Sequence, residues 1–294
     1  MCEEIITKEF IKSILPKRKE NSHKGSYGNV LNIAGSINYR GAAFLSSKSA
    51  LEAGAGYVML VSIEKVISLV SVLCPEAVFL PVGMKNGTLS NKDCKKIINV
   101  LPDFKVIEIG CGLSSMDKNQ DNIMKFFEKI ISEICKNNNQ VIIDADGINI
   151  LAENERIKIP PKSILTPHPK ELSRLLKSDV SKIQEERVKF AKEAAQKYSS
   201  IIVLKGHNTV VTDGVNSYIN KTGNSSLSKA GSGDVLTGMI SGFCAQGAEP
   251  LNAAILGVYL HGLAGEIASE ELSEYSVNAS DLIDYIPKAI NSLP

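Results

Sequence analysis

The chain has 294 residues, of which 44% are hydrophobic and 22% are charged. A chain of this length can bury a substantial core in one large α/β domain, or in two small ones at most. Both fractions are close to the globular average, which excludes a disordered or coiled-coil protein. The 33 basic residues against 32 acidic ones leave a formal charge of +1, so we expect neither nucleic acid nor an anionic membrane as a partner.

Six cysteines are spread along the chain without any C-x-x-C pair. That spacing predicts reduced thiols in a cytosol, and neither a disulfide framework nor a zinc site. The first 20 residues contain no apolar core of a signal peptide. The longest apolar run, residues 251–264, is interrupted by His261 and is short for a bilayer span, so it predicts a buried helix. We therefore expect a cytoplasmic protein.

A polar N-terminal arm over residues 1–22 leads into one predicted domain, so residues 1–294 form a single unit without repeat or linker. Continuous apolar runs predict strands that are covered on both faces; they are VLNIAGS (30–36), YVMLVS (57–62), AVFLPVG (77–83), VIEIGCG (106–112), VIIDADG (141–147), SILTPH (163–168) and IIVLKG (201–206). Helix-period segments lie between several of them, at residues 42–53, 117–136 and 179–198. This alternation predicts a largely parallel sheet between two layers of helices.

Two further patterns complete the predicted elements. An Asp-Gly turn within VVTDGVNSYIN (210–220) predicts a hairpin at one edge of the sheet. The residues from Ser232 onward predict three helices.

Polar and glycine residues are concentrated where the predicted strands end. Ligands of open parallel sheets bind at the carboxyl ends of the strands. Five polar clusters at one edge of one sheet predict a single site; they are residues 35–36, 110–114, 144–149, 166–171 and 205–209.

The sharpest motif is SKAGSGDVLTGMISG (228–242), in which Gly231, Ser232 and Gly233 precede Asp234 and an apolar helix pattern follows. Glycines let backbone amides point outward at a helix N-terminus, where they form an anion hole. Asp234 in that first turn could act as a catalytic base for a hydroxyl that attacks phosphorus. The competing interpretation is a plain N-terminal cap, and on these residues alone the two are evenly weighted.

The segment GSGDVLTG (231–238) resembles the anion-hole and base motif of ribokinase-like kinases. Four further regions are similar to the ADP/ATP-dependent NAD(P)H-hydrate dehydratases, in the order in which that family has them; they are HKGSYGNVLNIAGSINYRGAAFLSSKSALEAGAGYV (23–58), GCGL (110–113), DADGIN (144–149) with LTPHPKEL (165–172), and VLKGHNTVV (203–211). The resemblance runs from about residue 23 to near the C-terminus. It implies a ribokinase-like α/β/α sandwich with a mostly parallel central sheet.

The resemblance also implies roles for individual residues. It puts the hydrated dinucleotide against Ala42, Gly112, His168 and Asp234. It puts the adenine nucleotide against Gly233 and the strand-end residues Lys205, Gly206, His207, Asn208 and Thr209.

The chain departs from the family pattern in two places. Where the family usually has G-P-G-L-G, this chain has Gly110, Cys111, Gly112, Leu113 and Ser114. Where the family often has Ala-Leu-Asn after the second aspartate, this chain has GIN (147–149). The two leading glycines of the first motif remain, so we expect that loop to keep its path.

Taken without the resemblance, the same residues leave several roles open. Lys205 beside Gly206 offers a cation in an open turn, which suits phosphate, although a surface lysine beside a turn glycine is the more common arrangement. His168 lies between two prolines, which fix the direction of its ring, but a lone histidine of this kind is more often structural. Glu171 could anchor the hydration shell of magnesium or cap the following helix.

The sequence alone also leaves the roles of two aspartates open, whereas it predicts a core position for one histidine. Asp144 and Asp146 end a predicted strand, where carboxylates face metal, substrate or merely a turn. His261 lies in an apolar helix pattern and is expected to be a core histidine.

By the resemblance, the reaction is dehydration of the 6-hydroxy adduct of NADH or NADPH, driven by cleavage of ADP or ATP with Mg²⁺. Asp234 would take the hydroxyl proton as the oxygen attacks the terminal phosphate, and elimination of phosphate would restore the ring. A true kinase that makes a stable phosphate ester of a sugar or vitamin precursor is the alternative enzyme. A non-catalytic nucleotide-binding module is the alternative from another class. The PHPKE, HKG and GAA segments favour the dehydratase, and an intact GSGD with Lys205 argues against a decayed module.

The expected partners are small molecules: the hydrated dinucleotides and an adenine nucleotide. Bacterial members of the family generally use ADP, and a chain without the epimerase partner fits that group. ATP remains the alternative phosphoryl donor. The family tendency also implies a homo-oligomer, as a tetramer.

Overall fold

The computed structural model describes residues 3–114 and 120–293. Ten strands form one sheet in the order β1-β12-β11-β10-β9-β8-β7-β2-β3-β4, and β5 pairs with β6 in a separate two-stranded sheet. The strands are β1 (Glu3–Ile5), β2 (Asn29–Ile33), β3 (Tyr57–Ile63), β4 (Val78–Val82), β5 (Met84–Lys85), β6 (Thr88–Leu89), β7 (Val106–Ile109), β8 (Gln140–Ile143), β9 (Ile164–Leu165), β10 (Ile201–Leu204), β11 (Val210–Thr212) and β12 (Ser217–Ile219). In the ten-stranded sheet β11 runs antiparallel to both neighbours, and the other pairs are parallel.

Helices cover both faces of this sheet. They are α1 (Lys8–Ile14), α2 (Arg40–Glu52), α3 (Glu64–Leu73), α4 (Cys94–Val100), α5 (Gln120–Ile134), α6 (Asp146–Glu153), α7 (Pro169–Leu176), α8 (Val180–Glu185), α9 (Arg187–Tyr198), α10 (Ser232–Ala245), α11 (Pro250–Leu272) and α12 (Ala279–Asn291). Alternate residues of one strand enter different cores: Ile142 packs with the α10–α12 side, and Ile143 packs with the opposite side. This is the three-layer arrangement that the continuous apolar strands predict.

The strand order reverses between β2 and β7, which lie side by side in the interior of the sheet. The chain runs outward from β2 through β3 to β4, and then returns to β7 before it runs outward the other way. Such a reversal opens a crevice at the carboxyl ends of the two strands. The loop after β2 meets the loop after β7 there, because Gly35 N donates to Cys111 O at 2.9 Å.

Helix α10 packs closely against α2, which places the first turn of α10 at this crevice. A Cβ at Gly238 would lie 2.2 Å from Ser46 O, and a Cβ at Gly242 would lie 2.5 Å from Ala50 O. Glycine at both positions, one helical turn apart, therefore lets the two backbones approach. Any larger side chain there would push α10 away from α2.

The structure confirms the predicted strands, the three C-terminal helices and the free thiols of the five described cysteines. The predicted helix at 117–136 appears as α5 from Gln120, and residues 117–119 and Cys2 lie outside the described part. The predicted buried helix is also confirmed, although α11 is longer than predicted, at 23 residues. Its length and hydropathy would suffice to cross a membrane, but 72% of its most apolar window is buried inside the protein.

Two local predictions were wrong. The segment 179–198 is two helices, because Glu186 between α8 and α9 has φ −124° and ψ 50°, outside the helical region. The hairpin β11–β12 is not at the sheet edge, because β1 from the N-terminal arm pairs in parallel with β12 and takes that place.

Candidate active site

A buried ion pair connects the carboxyl ends of β8 and β10. Lys205 Nζ lies 2.7 Å from Asp144 Oδ1, and Thr237 Oγ1 in α10 donates to Asp144 Oδ2 at 2.8 Å. Burial alone would raise the pKa of Asp144, but the Lys205 ammonium and these hydrogen bonds hold it below its ordinary value. Asp144 is therefore an anion that ties α10 to two strand ends.

Asp234 lies in the first turn of α10, next to this pair. One carboxylate oxygen each from Asp234 and Asp144 and the Sγ of Cys111 all lie within 4.8 Å of one another. Burial, followed by the negative charge of Asp144, raises the pKa of Asp234 to about 6. A base whose pKa is near the working pH combines a large deprotonated fraction with useful proton affinity.

The residues before Asp234 have the geometry of an anion-binding helix N-terminus. Gly231 is the N-cap of α10 at φ 91°, and it has no side chain to accept a hydrogen bond from the first turn. The first-turn amides of Gly233 and Asp234 have no helical acceptor. A Cβ on Gly233 would lie 3.3 Å from Lys205 Nζ and 3.8 Å from Asp144 Oδ2. The backbone of Gly233 therefore faces the ion pair without an intervening side chain, and the positive end of the α10 dipole points toward the same ion pair.

A cleft of about 800 Å³ opens beside this helix N-terminus. It is lined by the strand-end residues Lys205, Gly206, His207, Asn208 and Thr209, by the segments 220–225 and 227–229 before the Gly-Ser-Gly turn, and by His168, Ser232, Gly233, Leu236, Val258, His261 and Gly262. A volume in this range accommodates a ligand of nucleotide size.

Ala42 and Gly112 lie together on another side of the ion pair. A Cβ on Gly112 would be 2.9 Å from Ala42 Cβ and 2.7 Å from Tyr39 Cβ, and Gly112 has φ 65°. The Sγ of Cys111, the neighbour of Gly112, lies within 4.8 Å of a carboxylate oxygen of Asp234. Within the described residues, the lining of the large cleft includes neither Ala42 nor Gly112. Asp234 is not part of that lining either, but it directly follows Gly233, which lines the cleft, and it is near Cys111, which precedes Gly112.

His168 is on the cleft side and also begins α7. Its Nδ1 accepts from Glu171 N at 3.1 Å, and Glu171 Oε2 accepts from His168 N at 2.7 Å, which is a reciprocal cap of the helix. Burial, followed by the positive charge of Lys205, lowers the pKa of His168, so the ring is neutral at pH 7. Glu171 Oε2 is 4.0 Å from Lys205 Nζ, and burial raises the Glu171 pKa to about 7.

A family model described as NAD(P)H-hydrate dehydratase matches residues 30–288 of this chain. The match covers β2 to α12 and so includes every part of the site above. The chain belongs to the NAD(P)H-hydrate dehydratase family.

Named relatives agree with this membership. The bifunctional NAD(P)H-hydrate repair enzyme of Moorella thermoacetica is 35% identical over 98% of this chain, and the chain spans about half of that relative's length, 54%. The crystal structure of the ADP/ATP-dependent NAD(P)H-hydrate dehydratase from Bacillus subtilis, co-crystallised with ATP and Mg²⁺, is 32% identical with a TM-score of 0.85 and full coverage of both chains. A ribokinase-like superfamily protein from Enterococcus faecalis has a TM-score of 0.86 at 24% identity over 99% of this chain and 96% of its own, which confirms the ribokinase-like fold.

The structure adds residues to the candidate site that were not predicted from the sequence. Thr237 was not singled out, although it holds Asp144; its signal was a threonine one turn after Asp234. The polar segment 220–229 was also missed, although it leads directly into the Gly-Ser-Gly turn and forms one wall of the cleft. His261 is buried, as predicted, but it is more than a core residue, since it lines the cleft and its Nε2 lies 3.2 Å from Ser232 Oγ.

Proposed function

We propose that this protein dehydrates the hydrated forms of NADH and NADPH, with phosphoryl transfer from ADP or ATP supplying the driving force. The observation that carries the proposal is the position of Asp234. It is a partly buried carboxylate with a raised pKa in the first turn of α10, directly after Gly233 of the cleft, and one of its oxygens lies within 4.8 Å of the Sγ of Cys111, the neighbour of Gly112. A base between these two regions can take a proton from one substrate while the other supplies the electrophile.

The proposed nucleotide position is the cleft. The segment 205–209 and Gly233 contact the phosphates, with the amides of Gly231, Ser232 and Gly233 as the anion hole. Support comes from the Gly233 amide, which lacks a helical acceptor, and from Lys205, whose ammonium retains hydrogen-bond donors beyond the one directed at Asp144. The Ser232 amide also donates to Lys229 O at 3.3 Å. The hydrated nicotinamide ring is proposed to lie against Ala42, Gly112 and Asp234, with His168 at the cleft side of the dinucleotide.

In the proposed reaction, Asp234 accepts the proton of the hydroxyl on C6 as that oxygen attacks the terminal phosphorus. A P–O bond forms to the hydrate oxygen, and the bond to the departing AMP (from ADP) or ADP (from ATP) breaks. Anion-hole amides and Lys205 stabilise the charge on the transferring group. Phosphate then leaves C6 with its bonding electrons, the neighbouring carbon loses a proton, and the ring double bond is restored. The kinase step becomes a lyase reaction because its phosphorylated product decomposes.

Magnesium is proposed to arrive with the nucleotide and so to be part of the substrate. Among the described residues, Cys111, Asp144 and Asp234 come close enough together to bind a metal ion. Mg²⁺ requires oxygen ligands, whereas this group contains a thiol, and Asp144 is already neutralised by Lys205. The cluster therefore does not fit a resident magnesium site, and no step is assigned to a metal ion held by the protein.

We also propose a homo-oligomer, as a tetramer, in the cytosol. The exposed apolar side chains of Leu69, Val72 and Leu73 on α3 support self-association, because they flank the unpaired edge strand β4. The free thiols of the described cysteines favour a reducing compartment. Light scattering coupled to size-exclusion chromatography measures the oligomeric state.

Oxygen-18 labelling tests the proposed reaction. Hydrated NADH labelled at the ring hydroxyl is mixed with the enzyme, Mg²⁺ and ADP or ATP for a single turnover. The proposal requires the label in inorganic phosphate and reduced nicotinamide as the product. Label retained in a stable phosphate ester would instead assign a kinase, and unlabelled phosphate would reveal simple nucleotide hydrolysis.

A further inference from the structure

The break between α8 and α9 directs one arginine at the end of β10. Glu186 lies outside the helical region, so Arg187 is the first residue of α9. Its Nη2 donates to Leu204 O at 2.9 Å and to Lys205 O at 3.2 Å, and its Nη1 donates to Gln184 Oε1 at 2.8 Å. The guanidinium therefore holds two consecutive carbonyl oxygens at the point where β10 ends.

Lys205 is fixed at its backbone as well as at its ammonium. Its backbone amide donates to Pro167 O at 2.9 Å, its backbone carbonyl accepts from Arg187, and its Nζ lies 2.7 Å from Asp144 Oδ1. The ion pair alone constrains only the end of a flexible four-carbon side chain. Because Arg187 and Pro167 hold the backbone, they determine where that side chain begins.

Gly206 begins the turn that follows β10, at φ 128°. It packs on the guanidinium, because a Cβ at this position would lie 3.4 Å from both Nη1 and Nη2 of Arg187. Gly206 O accepts from Thr209 Oγ1 at 2.9 Å, so protein donors occupy the carbonyl oxygens of residues 204–206. Within the described part of the chain, the backbone amides of residues 206–208 donate to no protein acceptor. A turn whose carbonyls are occupied and whose amides are free suits an anionic ligand.

Arg187 contacts this turn from the side away from the cleft. Among the described residues that line the cleft, Arg187 is absent, and it lines a second cavity of about 420 Å³. Asn208 and Lys221 line both cavities, so the segment 205–209 lies between them. Arg187 therefore acts on the proposed nucleotide through the backbone of this segment and not by direct contact.

We infer that Arg187 is a positioning residue for nucleotide binding: it holds the backbone of Lys205 and Gly206 so that Lys205 Nζ and the amides of the turn face the phosphates. This inference rests on the proposed function of the cleft as the nucleotide site. A purely structural arginine would stabilise the end of β10 without affecting nucleotide affinity. A lysine in its place would offer a point charge and not a planar guanidinium, so it should hold the two carbonyls less firmly.

The test compares Arg187→Ala with Lys189→Ala, since Lys189 is a cation of the same helix that lines the same cavity. Calorimetric titration with Mg²⁺-ADP and, separately, with hydrated NADH measures the two affinities. We expect Arg187→Ala to raise the nucleotide Kd about 10-fold, because hydrogen bonds from a charged donor are lost, and to leave the hydrate Kd within about twofold. Lys189→Ala should change neither. Equal losses for both ligands, or normal nucleotide affinity in the folded fraction of Arg187→Ala, would overturn the inference.

Chemical rescue distinguishes positioning from a general loss of stability. The second cavity reaches the position that Arg187→Ala vacates, so guanidinium at about 20 mM, far below a denaturing concentration, can enter it. We expect guanidinium to restore the nucleotide affinity of Arg187→Ala by about threefold or more, because it replaces the lost charged donors. Methylammonium at the same concentration has no planar group and should restore none. A nucleotide Kd that guanidinium does not lower, or that methylammonium lowers equally, would contradict the inference.

Hydrogen exchange keeps the inference separate from the proposed function. The Lys205 amide, which donates to Pro167 O, is followed without ligand on peptides that span residues 201–209. We expect Arg187→Ala, or Arg187→Lys if the alanine variant does not fold, to speed this exchange about 10-fold while peptides of β8 keep their protection. That result would show that Arg187 orders the segment even if the wild-type protein bound no nucleotide, in which case the proposed function is the part that fails. Unchanged exchange at 201–209, or an equal rise in β8, would overturn the inference.

Discussion

Lys205 Nζ and Asp144 Oδ1 are 2.7 Å apart, which makes this ion pair the central link of the site. Asp144 has 2% and Lys205 19% of its side chain exposed, so the pair is largely removed from water. A buried pair with further hydrogen bonds fixes its members in place more than it stabilises the fold. The pair therefore presents Lys205 to the cleft in a fixed position, beside Gly233.

Removing Lys205 should affect both stability and nucleotide binding. Lys205→Ala leaves the Asp144 carboxylate buried with Thr237 as its remaining donor, which costs on the order of 3–5 kcal/mol of unfolding free energy. Nucleotide affinity should fall much more than hydrate affinity, as measured by titrating each ligand separately in a calorimeter. The double variant Lys205→Met with Asp144→Asn removes both charges and should recover much of the stability without recovering nucleotide affinity. Normal nucleotide affinity in the double variant would show that Lys205 does not contact phosphate.

Asp234→Asn should fold and bind adenine nucleotide while losing nearly all turnover. The amide keeps the size of the side chain but cannot accept the hydroxyl proton, and loss of a general base costs on the order of 10²–10⁴ in rate. The measurement is kcat together with the nucleotide Kd. Asp213→Asn, which changes a carboxylate in the turn between β11 and β12, serves as control and should be unaffected in rate. Near-normal turnover in Asp234→Asn would show that Asp234 is not the base and has only a structural role at the start of α10.

Gly233→Val tests whether backbone at the start of α10 contacts phosphate. Gly233 is not at positive φ, unlike Gly231. The effect of valine should therefore come from the volume of its side chain and not from backbone strain. The added side chain points toward Lys205 Nζ and the floor of the cleft, and nucleotide Kd should rise at least 10-fold. Gly247→Ala is the control for lost stability: Gly247 has φ 92° and open space around an added Cβ, so this variant should melt earlier yet bind nucleotide normally. Gly233→Val with wild-type affinity in the folded fraction would refute the anion-hole assignment.

The rate should depend on pH through Asp234. Because its folded pKa is raised to about 6, the base is mostly protonated below that pH, and kcat/KM should rise tenfold per pH unit below 6 before it levels off. For stability the sign is opposite: a carboxyl whose folded pKa is raised stabilises the fold at low pH, and this contribution is lost as pH rises through about 6. His168→Gln and Glu171→Gln are the controls for two other nearby titrating groups. An acidic limb that disappears in one of these variants would assign the limb to that residue.

The fold was largely predictable because its strands are continuous apolar runs and its helices carry a clear period. The exceptions are elements without such a signal. Strand β1 is the short, exposed segment EEI, which gives no burial pattern and pairs only through its backbone. The break at Glu186 occurs without proline or glycine, so it depends on packing that the sequence does not display.

The site was predictable where glycines and charges gather at strand ends, and less so where tertiary contacts define it. Asp234 and Gly233 were found from one motif. The ion pair between Asp144 and Lys205 joins residues 61 positions apart, and no local pattern indicates it. The contact between Glu108 and Cys111 could not be predicted from the sequence either, because a glutamate within a strand is typical of a solvent-facing position.

A spectrophotometric assay with hydrated NADH, Mg²⁺ and either ADP or ATP tests the proposed dehydration itself. We expect the wild-type protein to restore the absorbance of reduced nicotinamide only when nucleotide is present, with one phosphate released for each ring restored. Asp234→Asn in the same assay should restore almost none. No recovery of absorbance with either nucleotide, or nucleotide consumption that yields a stable phosphorylated product, would contradict the proposed dehydration.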